Sequence, residues 1–249
     1  MDLRPSFLWS SASRTDTGKV RKHNEDICLE LPERGLWAVA DGMGGHSAGE
    51  VASASIAETL AKILRPPTLH SFVDEVEDRL LDCNAHLRQL AASRGPNQII
   101  GATVVVLVTY QDLAVYLWAG DCRLYLYRNG NLVQLTQDHT QVEEMVTRGL
   151  LTREEARNHP NSNVVTRAVG ARDSLSVDIN IERVEVGDRF LLCSDGLDKE
   201  LDDTEIRNIF ANGDSEDVEV VNALINLALS RRGRDNVTVV IATAHSVTH

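Results

Sequence analysis

Asp41-Gly42-Met43-Gly44-Gly45-His46-Ser47-Ala48-Gly49-Glu50 follows directly on the apolar run Leu36-Trp37-Ala38-Val39-Ala40. The run reads as a buried strand that ends at Asp41. The closely spaced Gly42, Gly44 and Gly45 let the backbone turn tightly beside whatever Asp41 holds. Ser47 and Glu50 have the spacing of a capping box, and a helix-like run over 51–64 follows. The order is strand, carboxylate, glycine turn, capped helix. A carboxylate on a rigid strand end, next to bare backbone, suits a hard cation and its water. A ligand-free turn is the commoner use of Asp-Gly, so the rest of the chain has to decide.

The arrangement recurs. Arg189-Phe190-Leu191-Leu192-Cys193-Ser194 delivers Asp195, followed by Gly196. Gly120-Asp121 lies between apolar runs over 113–119 and 122–127, and Asp235 stands just before the run 237–242. Glu25 and Asp26 precede Ile27-Cys28-Leu29-Glu30-Leu31, with Arg21 close by. Taken singly, each acid reads as a turn residue or a surface ion-pair partner. Carboxylates that meet where strands converge could not all stay ionised without cations. No histidine or cysteine cluster accompanies them, and an all-oxygen ligand set points to Mg²⁺ or Mn²⁺ in preference to Zn²⁺. Two such ions about 4 Å apart would activate a bridging water for in-line attack on phosphorus. Arg21 would grip the phosphate with its bidentate fork. The residues alone thus point to a dinuclear metallohydrolase.

The 249 residues are 43% hydrophobic, enough to bury one large core or two small ones. No apolar run has the length to span a bilayer, and the N-terminus carries no signal-peptide pattern. Cys28, Cys83, Cys122 and Cys193 are scattered without a Cys-x-x-Cys pair, which suggests buried, reduced thiols in a cytoplasmic protein. The net charge of −12 argues against nucleic-acid binding through a basic surface.

Apolar spacing over 71–92 predicts a long amphipathic helix, with His86 beside its stripe as a packing or surface residue. Strands are expected over 102–110, 113–119, 122–127 and 132–136, with Arg128-Asn129-Gly130-Asn131 as a hairpin turn. Short connections of this kind imply antiparallel neighbours. Residues 137–171 are polar, with short helical patterns around 141–148 and 152–158, and read as a flap too small for a core of its own. In that region Asp138 either caps a short helix or, with His139, takes part in chemistry. A strand over 175–181 and helices over 204–211 and 216–230 complete the pattern. The polar stretch 13–26 leads into the short strand over 27–31. The arginines of 230–236 read as a solvated loop, and the tail after Thr243, with His245 and His249, is expected to fray.

Read in order, eight motifs resemble the metal-dependent protein serine/threonine phosphatases of the protein phosphatase 2C (PPM) family, in their compact bacterial form. They are Arg21-x-x-Asn24-Glu25-Asp26, Asp41-Gly42-Met43-Gly44-Gly45-His46, Gly101-Ala102-Thr103 and Gly120-Asp121-Cys122-Arg123, then Thr136-Gln137-Asp138-His139, Thr166-Arg167-Ala168-Val169-Gly170, Ser194-Asp195-Gly196-Leu197 and Gly233-Arg234-Asp235-Asn236-Val237-Thr238. The resemblance covers nearly the whole chain.

The resemblance implies an α+β fold, a four-layer αββα sandwich of two antiparallel sheets flanked by helices, with the metal cluster at one end. It implies one domain over 1–249, with a flap at about 138–165. Asp41 would bridge two Mn²⁺ or Mg²⁺ ions, and Gly42 would add its carbonyl. Asp195 and Asp235 would complete the second ion's protein ligands, and Asp26 would hold waters of the first. Glu25 would support the cluster, and Asp121 with Asp195 would hold a third, weaker ion. Arg21 matches the phosphate-contacting arginine.

The implied reaction is direct attack of a metal-bridging water or hydroxide on phosphoserine or phosphothreonine in a protein, without a phosphoenzyme. Neither Cys28 nor Cys193 lies in a phosphate-cradling loop, which disfavours a cysteine nucleophile. Met43 stands where many eukaryotic members have a histidine proposed as general acid. His46 could take that role, a metal-bound water could, or His46 could be a turn residue only. Ala102 stands where a second threonine is common. The partners implied are phosphorylated proteins, with no nucleic acid and no membrane, and the chain is expected to be a monomer. A non-catalytic phosphoprotein-binding scaffold on the same fold is the alternative, which the complete acid set disfavours.

Overall fold

A computed structural model describes residues 7–44, 48–157, 159–211 and 216–247. In chain order, β1 (Phe7–Asp16), β2 (Asp26–Leu31) and β3 (Leu36–Met43) precede α1 (Ala48–Leu60) and α2 (Leu69–Arg94). Next come β4 (Gly101–Tyr110), β5 (Leu113–Ala119), β6 (Arg123–Arg128) and β7 (Asn131–Gln134). The short helices α3 (Gln141–Thr147) and α4 (Arg153–Arg157) lead to β8 (Asp178–Arg183) and β9 (Arg189–Cys193). The chain closes with α5 (Asp195–Asp198), α6 (Asp203–Phe210), α7 (Asp217–Ser230) and β10 (Val237–Ser246).

The strands form two five-stranded sheets, ordered β1-β10-β9-β6-β7 and β2-β3-β4-β5-β8, and every pairing is antiparallel. Both faces of the central strands are buried, which is why they read as unbroken apolar runs. Side chains alternate between faces. On β3, Leu36, Ala38 and Ala40 join α1 and α2 in one apolar layer, while Trp37 and Val39 enter the layer between the sheets. On β9 and β10, Phe190, Leu192, Val240 and Ala242 join that middle layer, and Leu191, Cys193, Val239 and Ile241 pack under α6 and α7. Three apolar layers separate four layers of structure, so the expected αββα sandwich is the observed one. All four cysteines are free, with Cys83, Cys122 and Cys193 buried and Cys28 half-buried.

Several local expectations fail. Part of the polar lead-in 13–26 is strand: residues 13–16 close β1, which pairs with β10 from Phe7↔Ser246 to Asp16↔Val237. The same pairing holds the tail as far as Ser246, so it does not fray there, and His249 lies outside the described residues. Gly120-Asp121 does not join antiparallel neighbours, because β5 lies in one sheet and β6 in the other. β3 does not end at Asp41 but continues through Gly42 to Met43, paired with Ala102 and Gly101 of β4. Gly45, His46 and Ser47, and with them the expected capping box, lie outside the described residues.

Candidate active site

Strand parity brings the acids to one end of the sandwich, between the sheets. Asp41 lies on the same face of β3 as Trp37 and Val39, and Asp26 on the same face of β2 as Cys28. The two acids sit opposite each other across the β2–β3 ladder. Ser194 follows the parity of Leu192, and Thr238 that of Val240, so both face Asp26 from the other sheet. Asp26 is 4% exposed, and its Oδ2 accepts from Ser194 Oγ at 2.7 Å and Thr238 Oγ1 at 2.8 Å. Asp121, from the corner between β5 and β6, and Asp195, at the start of α5, are also buried.

Two glycines allow this convergence by close approach. A Cβ on Gly42 would lie 2.2 Å from the Gly49 carbonyl oxygen, so only glycine lets the end of β3 meet the start of α1. A Cβ on Gly196 would lie 2.0 Å from the Asn236 carbonyl oxygen, so α5 can rest on the chain entering β10. Asp195 and Asp235 are thereby brought side by side. Asn236 then fastens the stretch before β2: its Nδ2 donates to the carbonyls of Thr17 (2.9 Å) and His23 (3.0 Å), and its Oδ1 accepts from Glu25 N (2.8 Å). That stretch carries Arg21.

The result is a cleft of about 510 Å³ lined by Arg21, Asp41, Asp121, Asp195, Lys199 and Asp235, with Glu25, Gly42 and the flap residues Asn163–165 at its walls. Arg21 meets Asp235 in a fork, Nε to Oδ1 at 2.8 Å and Nη2 to Oδ2 at 2.9 Å. Lys199 Nζ is bonded to an Asp195 oxygen and lies 3.9 Å from Asp235 Oδ2. Burial, less the hydrogen bonds from Ser194 and Thr238 and plus repulsion from Asp195, pushes the Asp26 carboxyl up to about 7. Burial and the neighbouring Asp26, Asp195 and Asp121 hold Asp41 well above the usual carboxylate range. Asp121 is raised in the same way, by burial and Asp195, with Lys199 opposing. Burial alone would lower Lys199, but Asp195 outweighs it and raises the ammonium pKa.

The donor chemistry of this cleft fits hard divalent cations. Asp26 Oδ1 and Asp195 Oδ1 are buried without a hydrogen-bond partner among the described residues, and a buried orphaned carboxylate oxygen is costly unless something positive meets it. Among the described residues no three acidic, histidine or cysteine side chains already stand in a ligand arrangement. Asp235 and Asp195 are turned to Arg21 and Lys199 instead. Cations entering the cleft would compete with those two side chains.

The flap is anchored beside the cleft: Thr140 and Val165 form a bridge, and Thr166 N donates to the His139 carbonyl at 2.7 Å. Asp138 does not cap α3; Thr140 does, accepting from Glu143 N. Asp138 pairs with Arg123 at 2.6 Å, and Arg123 also meets Asp198 at 3.1 Å. His139 lies under the Gly120–Asp121 corner, where its Nδ1 accepts from Gly120 N at 3.1 Å and its ring stacks on Trp118. Burial lowers its pKa against an opposing bond to Asp178. These contacts make His139 a support of the corner.

Sequence reasoning assigned no role to Lys199, Ser194, Thr238, Arg123 or Asn236. Lys199 follows Asp195 at helical i+4 spacing, and Ser194 and Thr238 follow their strands' parity, so those signals were readable. The Asn236 bonds across 219 and 213 residues left no local trace.

A family model described as protein phosphatase 2C matches residues 18–222. The serine/threonine phosphatase stp of Listeria welshimeri is 34% identical over 235 residues, covering 92% of this chain and 93% of that protein. Among solved structures, PppA, described as a key regulatory component of T6SS in Pseudomonas aeruginosa, superposes with a TM-score of 0.88 at 41% identity, over 95% of this chain and 98% of that one. The catalytic domain of serine threonine protein phosphatase PstP in complex with two manganese ions superposes with a TM-score of 0.87 at 32% identity, over 96% of this chain and 100% of that one.

Proposed function

Because the chain belongs to the protein phosphatase 2C family, we propose that it hydrolyses phosphoserine and phosphothreonine in proteins, using Mn²⁺ or Mg²⁺ held in the acid cleft. The observation that carries the reading is the meeting of Asp41, Asp121, Asp195 and Asp235 with Arg21 in one cleft. Its relatives are named serine/threonine phosphatases, and one neighbour was solved with manganese.

In this reading Asp41 would hold two core ions, Gly42 would add its carbonyl, and Asp195 and Asp235 would complete the protein ligands of the second. Asp26 would hold waters of the first ion, Glu25 would support the group, and Asp121 with Asp195 would hold a third, weaker ion. When bound, the ions supply Lewis-acid stabilisation of the phosphoryl charge and an activated water. The chain's own residues do the rest. Arg21, released from Asp235, turns its guanidinium fork to two phosphoryl oxygens and orients the phosphorus. Ser194 and Thr238 hold the Asp26 carboxylate in place through Oδ2. Either His46 or a water held by the ions would donate the proton to the leaving serine or threonine oxygen. The flap, rooted at 138–140 and 165–166, bounds the cleft on the substrate side.

The whole chain acts as one domain and as a monomer in the cytoplasm. No helix among the described residues is long and apolar enough to cross a membrane. The test is phosphate release from a phosphothreonine peptide by the full chain, with Mn²⁺ or Mg²⁺ and then with EDTA. Release that EDTA abolishes, and that Asp195→Asn removes, is expected. A folded protein that binds the peptide but releases nothing with either metal would replace this reading with the scaffold.

A further inference from the structure

A second groove of about 540 Å³ adjoins the acid cleft, lined by Val20, Arg21, Lys199, Glu200, Arg232 and Arg234. It shares Arg21, Asn163, Lys199 and Asp235 with the cleft, so the two are continuous. Its cations are not equivalent. Arg21 and Lys199 are engaged by Asp235 and Asp195. Arg231 is turned away to Glu205. Arg232 and Arg234 are exposed, and neither guanidinium forms an ion pair with a described residue.

Glu200 is the nearby acid that could have neutralised them. Its two oxygens instead accept the backbone N–H groups of Arg232 (3.2 Å) and Arg234 (3.5 Å). That arrangement holds the loop and leaves both guanidinium forks facing outward. The exposed Lys19 lies beside them, its backbone N donating to the Gly233 carbonyl at 2.7 Å. Val20, 66% exposed, adds an apolar floor. In a chain of net charge −12, cations without acid partners among the described residues are gathered at the rim of the site that receives a phosphoryl group. Such a rim focuses anions locally against an otherwise repulsive field, and guanidinium forks match carboxylate and phosphate oxygens.

We propose that this groove is a substrate subsite for an anionic side chain, a carboxylate or a second phosphate, carried by the same peptide as the residue that is hydrolysed. The inference rests on the phosphatase reading above and adds a substrate class to it. An extended peptide advances about 3.3 Å per residue. A groove sharing a wall with the cleft is therefore reached within the first few residues on one side of the phosphorylated position.

The test uses the full chain with Mn²⁺ and a phosphothreonine peptide with neutral flanks. Glutamate, or a non-hydrolysable phosphonate analogue of phosphothreonine, is placed in turn at each of the four positions on either side. Wild-type kcat/KM is expected to rise roughly three- to tenfold for an anion on one side only, the range of one or two exposed ion pairs. The gain should shrink at high salt. The two arms distinguish a carboxylate subsite from a phosphate subsite. Arg232→Ala with Arg234→Ala should erase the gain while leaving hydrolysis of the neutral peptide unchanged. Arg232→Glu with Arg234→Glu should turn the preference towards lysine-containing peptides.

No gain at any position, or a gain that survives the double alanine variant, overturns the subsite. If neither protein hydrolyses any peptide, the phosphatase reading fails separately. Fluorescence anisotropy with the labelled phosphonate peptides then tests the subsite by the same wild-type-to-variant ratio.

Discussion

Replacing Asp26 by asparagine should stabilise the metal-free protein at pH 8 and not at pH 4. The carboxyl is 4% exposed and its pKa rises from 3.8 to about 7 in the fold, chiefly through burial. The folded state therefore keeps a proton that the unfolded state releases, and between about pH 4 and pH 7 the stability of the metal-free protein falls as pH rises. A shift of about 3 units corresponds to about 4 kcal/mol of penalty at pH 8, at about 1.4 kcal/mol per unit. Below pH 3.8 none of it is present. Asparagine removes this penalty, since its carbonyl can still accept from Ser194 and Thr238. Its amide would occupy the position of Oδ1, which has no partner, at a cost of about 1–3 kcal/mol. Asp26→Asn is thus expected to gain about 1–3 kcal/mol at pH 8 and to lose a similar amount at pH 4. Against a typical domain stability of about 5–15 kcal/mol, both changes are resolvable. The assay is urea unfolding of chelator-treated protein at the two pH values, read from the midpoint at constant slope. The same variant should bind Mn²⁺ more weakly by calorimetry. An equal midpoint shift at both pH values would refute the reasoning, because the penalty would then not be one of charge.

Asn236→Ala removes the bonds to Thr17, His23 and Glu25. It should cost about 2–3 kcal/mol in urea unfolding and raise KM for a phosphopeptide, because the stretch carrying Arg21 is no longer fastened. Gly196→Ala places a Cβ against the Asn236 carbonyl. A loss of about 1–3 kcal/mol is expected, with calorimetry showing weaker Mn²⁺ binding as Asp195 moves away from Asp235. Arg123→Met strands Asp198 and Asp138, whose side chains are only 13% and 14% exposed, and breaking a buried pair typically costs about 3–5 kcal/mol. Burial, only partly offset by Arg123, puts Asp198 at about 7. Losing the guanidinium should push that value higher, so thermal melts should show a smaller loss at pH 5, where Asp198 stays protonated, than at pH 8.

The motifs were legible because each is local. The run 36–40, the strand 189–193 and the acids beside them could be placed on strand ends from hydrophobicity alone, and the family resemblance assembled them in order. β1 escaped because only Phe7 and Ala12 of its ten residues are buried, and Ser10, Ser11, Ser13 and Arg14 fill half-buried positions with polar side chains. Its strand character comes from pairing with β10, more than 220 residues later. The β5–β6 corner was misread because a short Gly-Asp link looks the same whether the next strand stays in the sheet or crosses to the other.

The chain's own residues determined which segments are strands and helices and which carboxylates stand at their ends, since periodicity and apolar content act over a few residues. Only the tertiary structure decided that Asp26 and Asp41 share an inter-sheet face with Ser194 and Thr238. It also decided that Asn236 ties down the Arg21 stretch and that Arg232 and Arg234 stand beside the cleft without acid partners among the described residues. Those relations depend on which sheet each strand joins and on how closely two backbones approach. Contacts between residues a hundred or more positions apart set both, and such contacts leave no period in the sequence.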